Sequence, residues 1–212
     1  RTSISSLLVR FTRSTAKRTK PVSIKITEMD GLLYPPDNLY CVYDTPGSDP
    51  TAPTDVTREA IISENDHYRY RLDRTWDPTA PKIAFVLLNP SRADAETDDR
   101  TTTRCMTYAN GMGFGCVVIG NLFALRSTDP AAIKSHPAPV GPRNDQYLRD
   151  ICHESDRIVA GWGVNGTISG RGREITAALD VDWHAITTTT DGHPAHPSRT
   201  PYDSTLQPFS YN

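Results

Sequence analysis

Four short apolar runs, each followed at once by polar or aromatic residues, constrain the fold more than any other feature of the sequence. Continuous apolar runs of this length are typical of strands that are buried on both faces. Each run ends at a Pro, a Gly or a polar cluster, which sets the end of the strand. The four runs are KIAFVLL (82–88), CVVIGNL (116–122), RIVAGW (157–162) and HAITTTT (184–190).

Three segments with helical character separate these runs, at about 97–112, 143–154 and 170–180. The first has Asp98 and Asp99 near its start, and the second follows Pro142 and Arg143-Asn144, which are typical start signals. Strands that alternate with helices predict a parallel sheet covered on both faces. The predicted fold class is therefore α/β: a three-layer α/β/α domain with a short, mostly parallel, four-stranded sheet.

The segment before the first run has a different character. Residues 68–76 (YRYRLDRTW) alternate aromatic or apolar with charged side chains, which predicts a half-exposed strand. Residues 1–60 contain many prolines and only two strand-like pieces, at 22–27 and 39–43. We therefore expect an irregular N-terminal extension over 1–60, with one hairpin, and an α/β domain over 61–212.

Charge and composition exclude several classes of protein. The 212 residues carry a net charge of −2 with a pI of about 6.3, which excludes a globally basic nucleic-acid binder. Residues 1–25 nevertheless carry only basic charges, and such a run either favours a polyanion or forms a solvated arm. The mean hydropathy is −0.49, and no apolar run approaches the roughly 20 residues of a membrane helix. We expect a cytoplasmic protein without membrane contact.

Metal and cofactor motifs are also missing from the sequence. The four cysteines form no C-x-x-C pair, so neither a zinc ribbon nor an iron–sulfur site is predicted. His193 and His196 are three residues apart, but no third ligand stands at motif spacing. The phosphate-binding and dinucleotide-binding glycine motifs and the nucleophile elbow are absent too. We expect no metal and no cofactor.

The candidate site follows from the strand ends, because ligands bind at the carboxyl ends of the strands of a parallel sheet. Asn89 either binds ligand there or caps an Asn-Pro turn, and Asn121 either reads a base or makes a structural hydrogen bond. A neutral His196 is a suitable donor to developing negative charge. For the nearby aspartates, helix capping and ion pairing are favoured over catalysis; these are Asp94, Asp98 and Asp99.

Residues from about 67 to 202 resemble a family of small microbial and phage proteins known only as a domain of unknown function. The matching stretches include LLNPSRADAETDDRTTTR, GNLFALRSTDP, AGWG and GHPAHPSR. More distantly, three motifs resemble the uracil-DNA glycosylase superfamily, whose fold is a three-layer α/β/α sandwich. Asn89-Pro90-Ser91 resembles the first motif in its Asn-Pro form, Asn121 the base-reading Asn, and His196-Pro197-Ser198 the third motif.

The resemblance implies hydrolysis of an N-glycosidic bond on a flipped nucleotide of DNA. It assigns Asn89 to the attacking water, Asn121 to the base edge and His196 to charge on the leaving base. It assigns four further residues to the pocket for the base: Pro90, Ser91, Phe123 and Trp162. It assigns contacts with the DNA phosphates to Ser198 and Arg199. The aspartate of the fastest branch is replaced by Asn89, and the small Ser91 predicts room for a bulky base.

The sequence therefore predicts a DNA glycosylase-like enzyme that removes a modified or mismatched base, in DNA repair or phage defence. Two alternatives stay open at this point. The same pocket fits a binding module that holds a modified base or nucleotide without hydrolysis. It also fits a hydrolase of free nucleosides or nucleotides, for which the basic run would be dispensable and salt would matter little.

Overall fold

Seven strands form one mixed sheet in the computed structural model, which describes residues 52–129 and 131–211. Their order across the sheet is β1-β2-β4-β3-β5-β6-β7. The expectations for residues 1–51, including the basic run and the two strand-like pieces, lie outside the described residues. The strands are β1 Thr57–Ile62, β2 Arg69–Thr75, β3 Lys82–Leu87, β4 Cys116–Asn121, β5 Arg157–Ala160, β6 Trp183–Ala185 and β7 Gln207–Pro208.

The prediction of a mostly parallel, four-stranded sheet is wrong in strand number and in strand direction. The pairings of β3 with β4, β3 with β5 and β5 with β6 are parallel, and the four predicted runs supply these strands. The other three pairings, which add β1, β2 and β7, are antiparallel. These added strands are charged, or only two residues long, so an apolar run does not mark them in the sequence.

Helices cover both faces of the sheet. They are α1 Arg100–Gly111, α2 Ala131–Ser135, α3 Asn144–His153 and α4 Arg171–Ala178, with 3-10 turns at Val164–Gly170 and Pro197–Arg199. Three of the four agree with the helical segments predicted from the sequence. Alternate residues of β3 divide between two apolar clusters: Phe85 packs with α1, whereas Val86 packs with α3 and α4. The mixed sheet therefore lies between two layers of helix.

Strand β2 has the partly exposed face that its alternating pattern predicted, at Arg71, Asp73 and Thr75. Two of its arginines are nevertheless enclosed: Arg69 on the same face is 3% exposed, and Arg74, which shares the opposite face with Tyr70 and Leu72, is 0% exposed. The guanidinium groups of Arg69 and Arg74 have hydrogen-bond acceptors inside the fold. These buried partners decide the roles of the two arginines.

Two further features of the described residues complete the fold. Strand β1 begins at Thr57, inside the stretch predicted as an irregular extension, and pairs with β2. The thiols of Cys105, Cys116 and Cys152 are buried and unpaired, and burial raises the pKa of all three. Within 52–129 and 131–211, no helix has the length and apolar character that a bilayer span requires.

Candidate functional site

A cleft of about 570 Å³ lies at the carboxyl ends of the four parallel strands. Each of these strands, or the loop after it, contributes to its wall, as does the start of α1. Eight of the twelve residues singled out from the sequence line this cleft: Asn89, Ser91, Asp99, Asn121, Trp162, His196, Ser198 and Arg199. The fold therefore brings together side chains that lie more than 100 residues apart in the chain.

The Asn89 amide fastens the Asn-Pro turn, which is one of the two roles that its position allowed. Its Nδ2 donates to the carbonyl oxygens of Pro90, at 3.1 Å, and Ser127, at 2.8 Å. Only an amide nitrogen satisfies two carbonyl acceptors, so these bonds fix the orientation of the side chain. Its Oδ1 has no donor among the described residues and is an acceptor on the cleft wall. The amide thus fastens the turn after β3 and keeps one oxygen for a ligand or a water.

Asn121 is held by a residue that the sequence analysis did not single out. Arg69 donates from Nη2 to Oδ1 of Asn121 over 3.2 Å, and from Nη1 to the carbonyl oxygen of Ala93 over 2.8 Å. Asn121 is 1% exposed, and its Nδ2 is buried without a partner among the described residues. Since Oδ1 is engaged, Asn121 offers a ligand chiefly a donor, rather than the donor and acceptor expected from its sequence.

His196 is a neutral imidazole in a fixed tautomer. The backbone N–H of Ser198 donates to its Nδ1 over 3.3 Å, and the Ser198 hydroxyl lies 2.8 Å from the same nitrogen. Burial, followed by the charge of Arg199, lowers the pKa of His196 to about 4, against an opposing effect of Asp99. At neutral pH the ring proton is therefore on Nε2. This nitrogen has no partner within the described part of the chain and can donate to a ligand.

Helix α1 holds the turn that carries His196. Arg104 donates from Nε to the carbonyl oxygen of Pro197 over 2.9 Å, and the Tyr108 hydroxyl donates to that of Thr200 over 2.9 Å. Pro197 also packs close to Gly161, where an added Cβ would lie 3.0 Å from its Cδ and 2.9 Å from a methyl of Leu87. The glycine after β5 is therefore needed for this approach.

Trp162 is buried in the cleft wall, whereas Arg199 is exposed at it. Trp162 is 2% exposed, and its Nε1 donates to the Tyr211 hydroxyl over 2.9 Å, so most of the ring belongs to the core. Arg199 is exposed, and its guanidinium has no partner among the described residues. The backbone N–H and the hydroxyl of Ser198 contact Nδ1 of His196, so Ser198 positions the imidazole ring. The resemblance had assigned Ser198 to a DNA phosphate.

Four of the residues singled out from the sequence lie outside the cleft lining. Pro90 is buried in the turn after β3. Phe123 is packed in the core, because its N–H donates to the carbonyl oxygen of Leu88 and so extends the pairing of β4 with β3 by two residues. Asp98 pairs with Arg74, at 2.6 Å, and Asp94 accepts from the backbone of Glu96 and Thr97. Asp99, which does line the cleft, caps α1 by accepting from Thr102 N–H at 2.8 Å. Asp99 thus caps a helix and Asp98 forms an ion pair, the two roles favoured from the sequence, whereas Asp94 fastens a turn.

Arg69 is the main residue that the sequence analysis missed. It lines the cleft, yet it stands in a strand whose alternation predicted an outward charge. The only signal was the run of three arginines in YRYRLDRTW, which is unusual in a strand next to apolar runs. Among residues 52–129 and 131–211, no three His, Cys, Asp or Glu side chains are placed to hold a metal ion.

The fold and the cleft define an α/β protein with a ligand site at the carboxyl edge of its parallel strands. Neutral polar side chains line this site, together with the buried guanidinium of Arg69, the exposed guanidinium of Arg199 and the carboxylate of Asp99. Residues 69–198, more than half of the chain, match the family described as "Protein of unknown function (DUF1643)". The chain belongs to this family. It matches none of the curated proteins and none of the solved structures with which it was compared.

Proposed function

We propose that this chain hydrolyses the N-glycosidic bond of a modified or mismatched nucleotide in DNA. The observation that carries the proposal is the neutral His196, whose Nε2–H is free in a cleft that also presents Asn89 Oδ1 and Asn121 Nδ2. The distant resemblance of three motifs to the uracil-DNA glycosylase superfamily supports the same chemistry. The cleft volume of about 570 Å³ suits one nucleotide and an attacking water.

In the proposed reaction, a water molecule donates to Oδ1 of Asn89 and attacks C1′ of the sugar. The C1′–N bond breaks and its electron pair leaves with the base, while Nε2–H of His196 donates a hydrogen bond to the negative charge that develops there. The attacking oxygen becomes the hydroxyl of the abasic sugar, and its proton passes to solvent or to the departing base. No strong base is needed if the sugar acquires oxocarbenium character first.

Recognition of the base falls to the donor of Asn121 and to the space beside Ser91. A free N–H in a buried wall selects an acceptor on the base, because an unmade bond leaves a buried donor unsatisfied. Arg199 lies at the exposed rim, where a guanidinium binds a phosphate of the flipped nucleotide. Flipping of this kind is the usual solution when a reacting bond is inaccessible in the duplex.

A second candidate function is binding of such a base without hydrolysis. It is favoured by the engagement of Asp99, which carries the one carboxylate among the described residues that line the cleft: its Oδ1 accepts from Thr102 N–H and Oγ1 and caps α1. An amide cannot accept a proton from water at neutral pH, so the chemical step would be slow or missing. Base release distinguishes this reader from the hydrolase.

The test is incubation of the full chain with DNA that contains uracil, a thymine mismatch, or a hydroxymethylated or glycosylated pyrimidine. Mass spectrometry of the released base is the readout, with Asn89→Ala and His196→Ala as variants. We expect release from one class of substrate and a loss of at least about 100-fold in each variant, the size typical of a lost oxyanion or water contact. Binding of these DNAs without release of a base from any of them would favour the second candidate, a protein that binds the base without hydrolysis.

A further inference from the structure

Three arginines are almost fully buried in the described residues, and one of them differs from the other two. Arg74 pairs with Asp98, and Arg171 pairs with Asp145 and, at 3.1 Å, with Glu174. Arg69 makes no ion pair within the described part of the chain, and its two bonds go to neutral oxygens. The two neutralised guanidinium groups lie outside the cleft lining, and the unneutralised one lies in it.

A buried charge without a counter-charge is costly, because burial removes its hydration and nothing replaces it. Burial lowers the pKa of Arg69 to about 10, so the group still carries its charge at neutral pH. The carboxylates of Asp99, in the cleft lining, and Asp94 attract the Arg69 charge through space, but neither forms an ion pair with it within the described residues. The fold therefore contains an electrostatic deficit that a bound anion would remove.

The hydrogen-bond donors around Arg69 also favour an anionic ligand. Its Nε and the Nδ2 of Asn121 are both buried without an acceptor among the described residues. The two side chains are joined through Nη2 and Oδ1, so the two free donors belong to one connected group. The neutral Nε2–H of His196 lines the same cleft. All three groups offer N–H, which suits an oxygen that carries negative charge.

We propose that the pair formed by Arg69 and Asn121 is a subsite for an oxyanionic group of the ligand, a phosphate or a carboxylate. This inference goes beyond the proposed function, because it concerns the charge of the ligand and holds whichever bond the protein cleaves. A carboxylate would come from an acidic substituent on the base whose edge Asn121 contacts in the proposed function. A phosphate would come from a nucleotide bound end-on, and Asn121 would then contact the phosphate in place of the base. Both present oxygens that accept from Nε of Arg69 and Nδ2 of Asn121 together.

The test uses the thermal unfolding midpoint of the full chain in phosphate, in acetate and in acetamide, with sodium chloride added to equal ionic strength. An anion at ten times its dissociation constant should raise the midpoint by about 3 °C or more. Acetamide has the shape of acetate without its charge and should have no effect. The larger of the phosphate and acetate shifts identifies which oxyanion the subsite prefers.

Two variants separate the subsite from general salt effects. Arg69→Gln removes the charge, and Asn121→Asp supplies an internal carboxylate that accepts from both Nη2 and Nε of Arg69. We expect both to lose the anion response, and Asn121→Asp to have a higher midpoint than the parent chain without ligand. Arg143→Gln, an exposed arginine outside the cleft lining, is the matched control and should respond like the parent chain.

The proposal is overturned if neither phosphate nor acetate shifts the midpoint more than acetamide does. It is also overturned if the shift persists undiminished in Asn121→Asp, a variant that is expected to fold even where Arg69→Gln does not. Stabilisation by ion exclusion from the surface would act equally on every variant and would give this second result. Failure of the base-release assay leaves these outcomes unaffected, so the two proposals are tested separately.

Discussion

Nδ1 of His196 accepts the backbone N–H of Ser198, two residues further along the chain, at 3.3 Å. A ring nitrogen that accepts a hydrogen bond from an amide has no proton of its own, so the proton of the neutral ring is on Nε2. The local turn Pro197–Arg199 therefore sets the chemical character of His196 before any ligand arrives. The proposed mechanism depends on this donor, and the pH behaviour of the ring can be measured.

We expect a His196 signal with a pKa of about 4 in an NMR titration of the folded chain, because burial disfavours the charged ring. An unfolded histidine titrates near 6.5. Between pH 6.5 and 4 the unfolded chain therefore binds a proton that the folded chain does not, and stability should fall as the pH is lowered through this window. The difference in pKa corresponds to about 3 kcal/mol of stability. The ring is partly exposed, so solvent screening makes the actual contribution smaller.

Denaturant unfolding at pH 7, 5 and 4 measures this contribution. His196→Gln keeps a neutral side chain at every pH, so its stability should depend less on pH than that of the parent chain. An unchanged pH dependence in this variant would mean that His196 does not titrate as we describe. Base release should likewise persist below pH 6, where an ordinary histidine would already be protonated.

Tyr108→Phe should loosen the turn that carries His196. The Tyr108 hydroxyl lies 2.9 Å from the carbonyl oxygen of Thr200 and 2.6 Å from that of Pro201. Its loss leaves buried acceptors with fewer partners, and we expect a destabilisation of about 1–3 kcal/mol in urea unfolding. Hydrogen exchange of residues 196–200 should accelerate.

Tyr147→Phe is the matched control for Tyr108→Phe. The rings of Tyr147 and Tyr70 stack with their centroids 5.1 Å apart, and the Tyr147 hydroxyl makes no hydrogen bond within the described residues. The stability of the Tyr147→Phe variant should therefore differ from that of the parent chain by less than about 0.5 kcal/mol. Equal effects of the two substitutions would contradict the assignment of Tyr108 as the residue that positions this turn.

Asn89→Asp should destabilise the protein at neutral pH, although the two side chains have almost the same shape. The Asn89 amide donates to two carbonyl oxygens, and a carboxylate in its place would face both of them without a proton. We expect a cost of about 1–3 kcal/mol at pH 7, with recovery at acidic pH, where the new side chain is protonated and can donate. Asn165→Asp, an exposed position in the same cleft, should cost little at either pH.

Ser91→Tyr should exclude bulky bases selectively, because Ser91 lines the cleft and its small side chain leaves room there. Steady-state base release from DNA that carries a glycosylated pyrimidine should fall by at least about 10-fold, the effect of a steric change in a pocket. Release from a uracil substrate should change much less, and Ser91→Ala should preserve both rates. Equal losses on the two substrates in Ser91→Tyr would show that Ser91 does not set the size of the base.

Asp98→Asn should lower stability without a direct effect on chemistry. Asp98 neutralises Arg74, which is fully buried, so the substitution leaves a buried guanidinium without its counter-charge. A loss of about 3 kcal/mol in urea unfolding is expected. Asp94→Asn keeps the acceptor for the backbone of Glu96 and should change stability by less than about 0.5 kcal/mol. A reduced rate per folded molecule in Asp98→Asn would argue that Asp98 has a role in the cleft.

The parallel strands and the main helices could be predicted because each satisfies a local rule. Strand β3 is a continuous apolar run that ends at Asn89-Pro90, and α1 begins at a capping Asp99. The added antiparallel strands could not be predicted in this way. β1 and β2 contain charged residues in place of a continuous apolar run, and β7 has only two residues. The burial of Arg69 and Arg74 in β2 depends on neighbours distant in the chain.

The cleft was predictable at its strand ends and unpredictable in its interior. Asn89, Asn121 and His196 are polar residues that follow apolar runs, a signal visible in the sequence. Arg69 contacts Asn121 across 52 residues of sequence, and no local pattern reports such a pairing. Phe123 was misplaced because the chain keeps pairing with β3 after β4 ends, which turns its side chain into the core.

The central claim is hydrolysis of an N-glycosidic bond, and its most direct measurement is a single-turnover reaction with the full chain in excess over modified DNA. Mass spectrometry would follow the free base and the abasic strand together. Our account predicts equal amounts of the two products from the parent chain, and neither product from His196→Ala. Intact DNA from every substrate, bound or unbound, would contradict it.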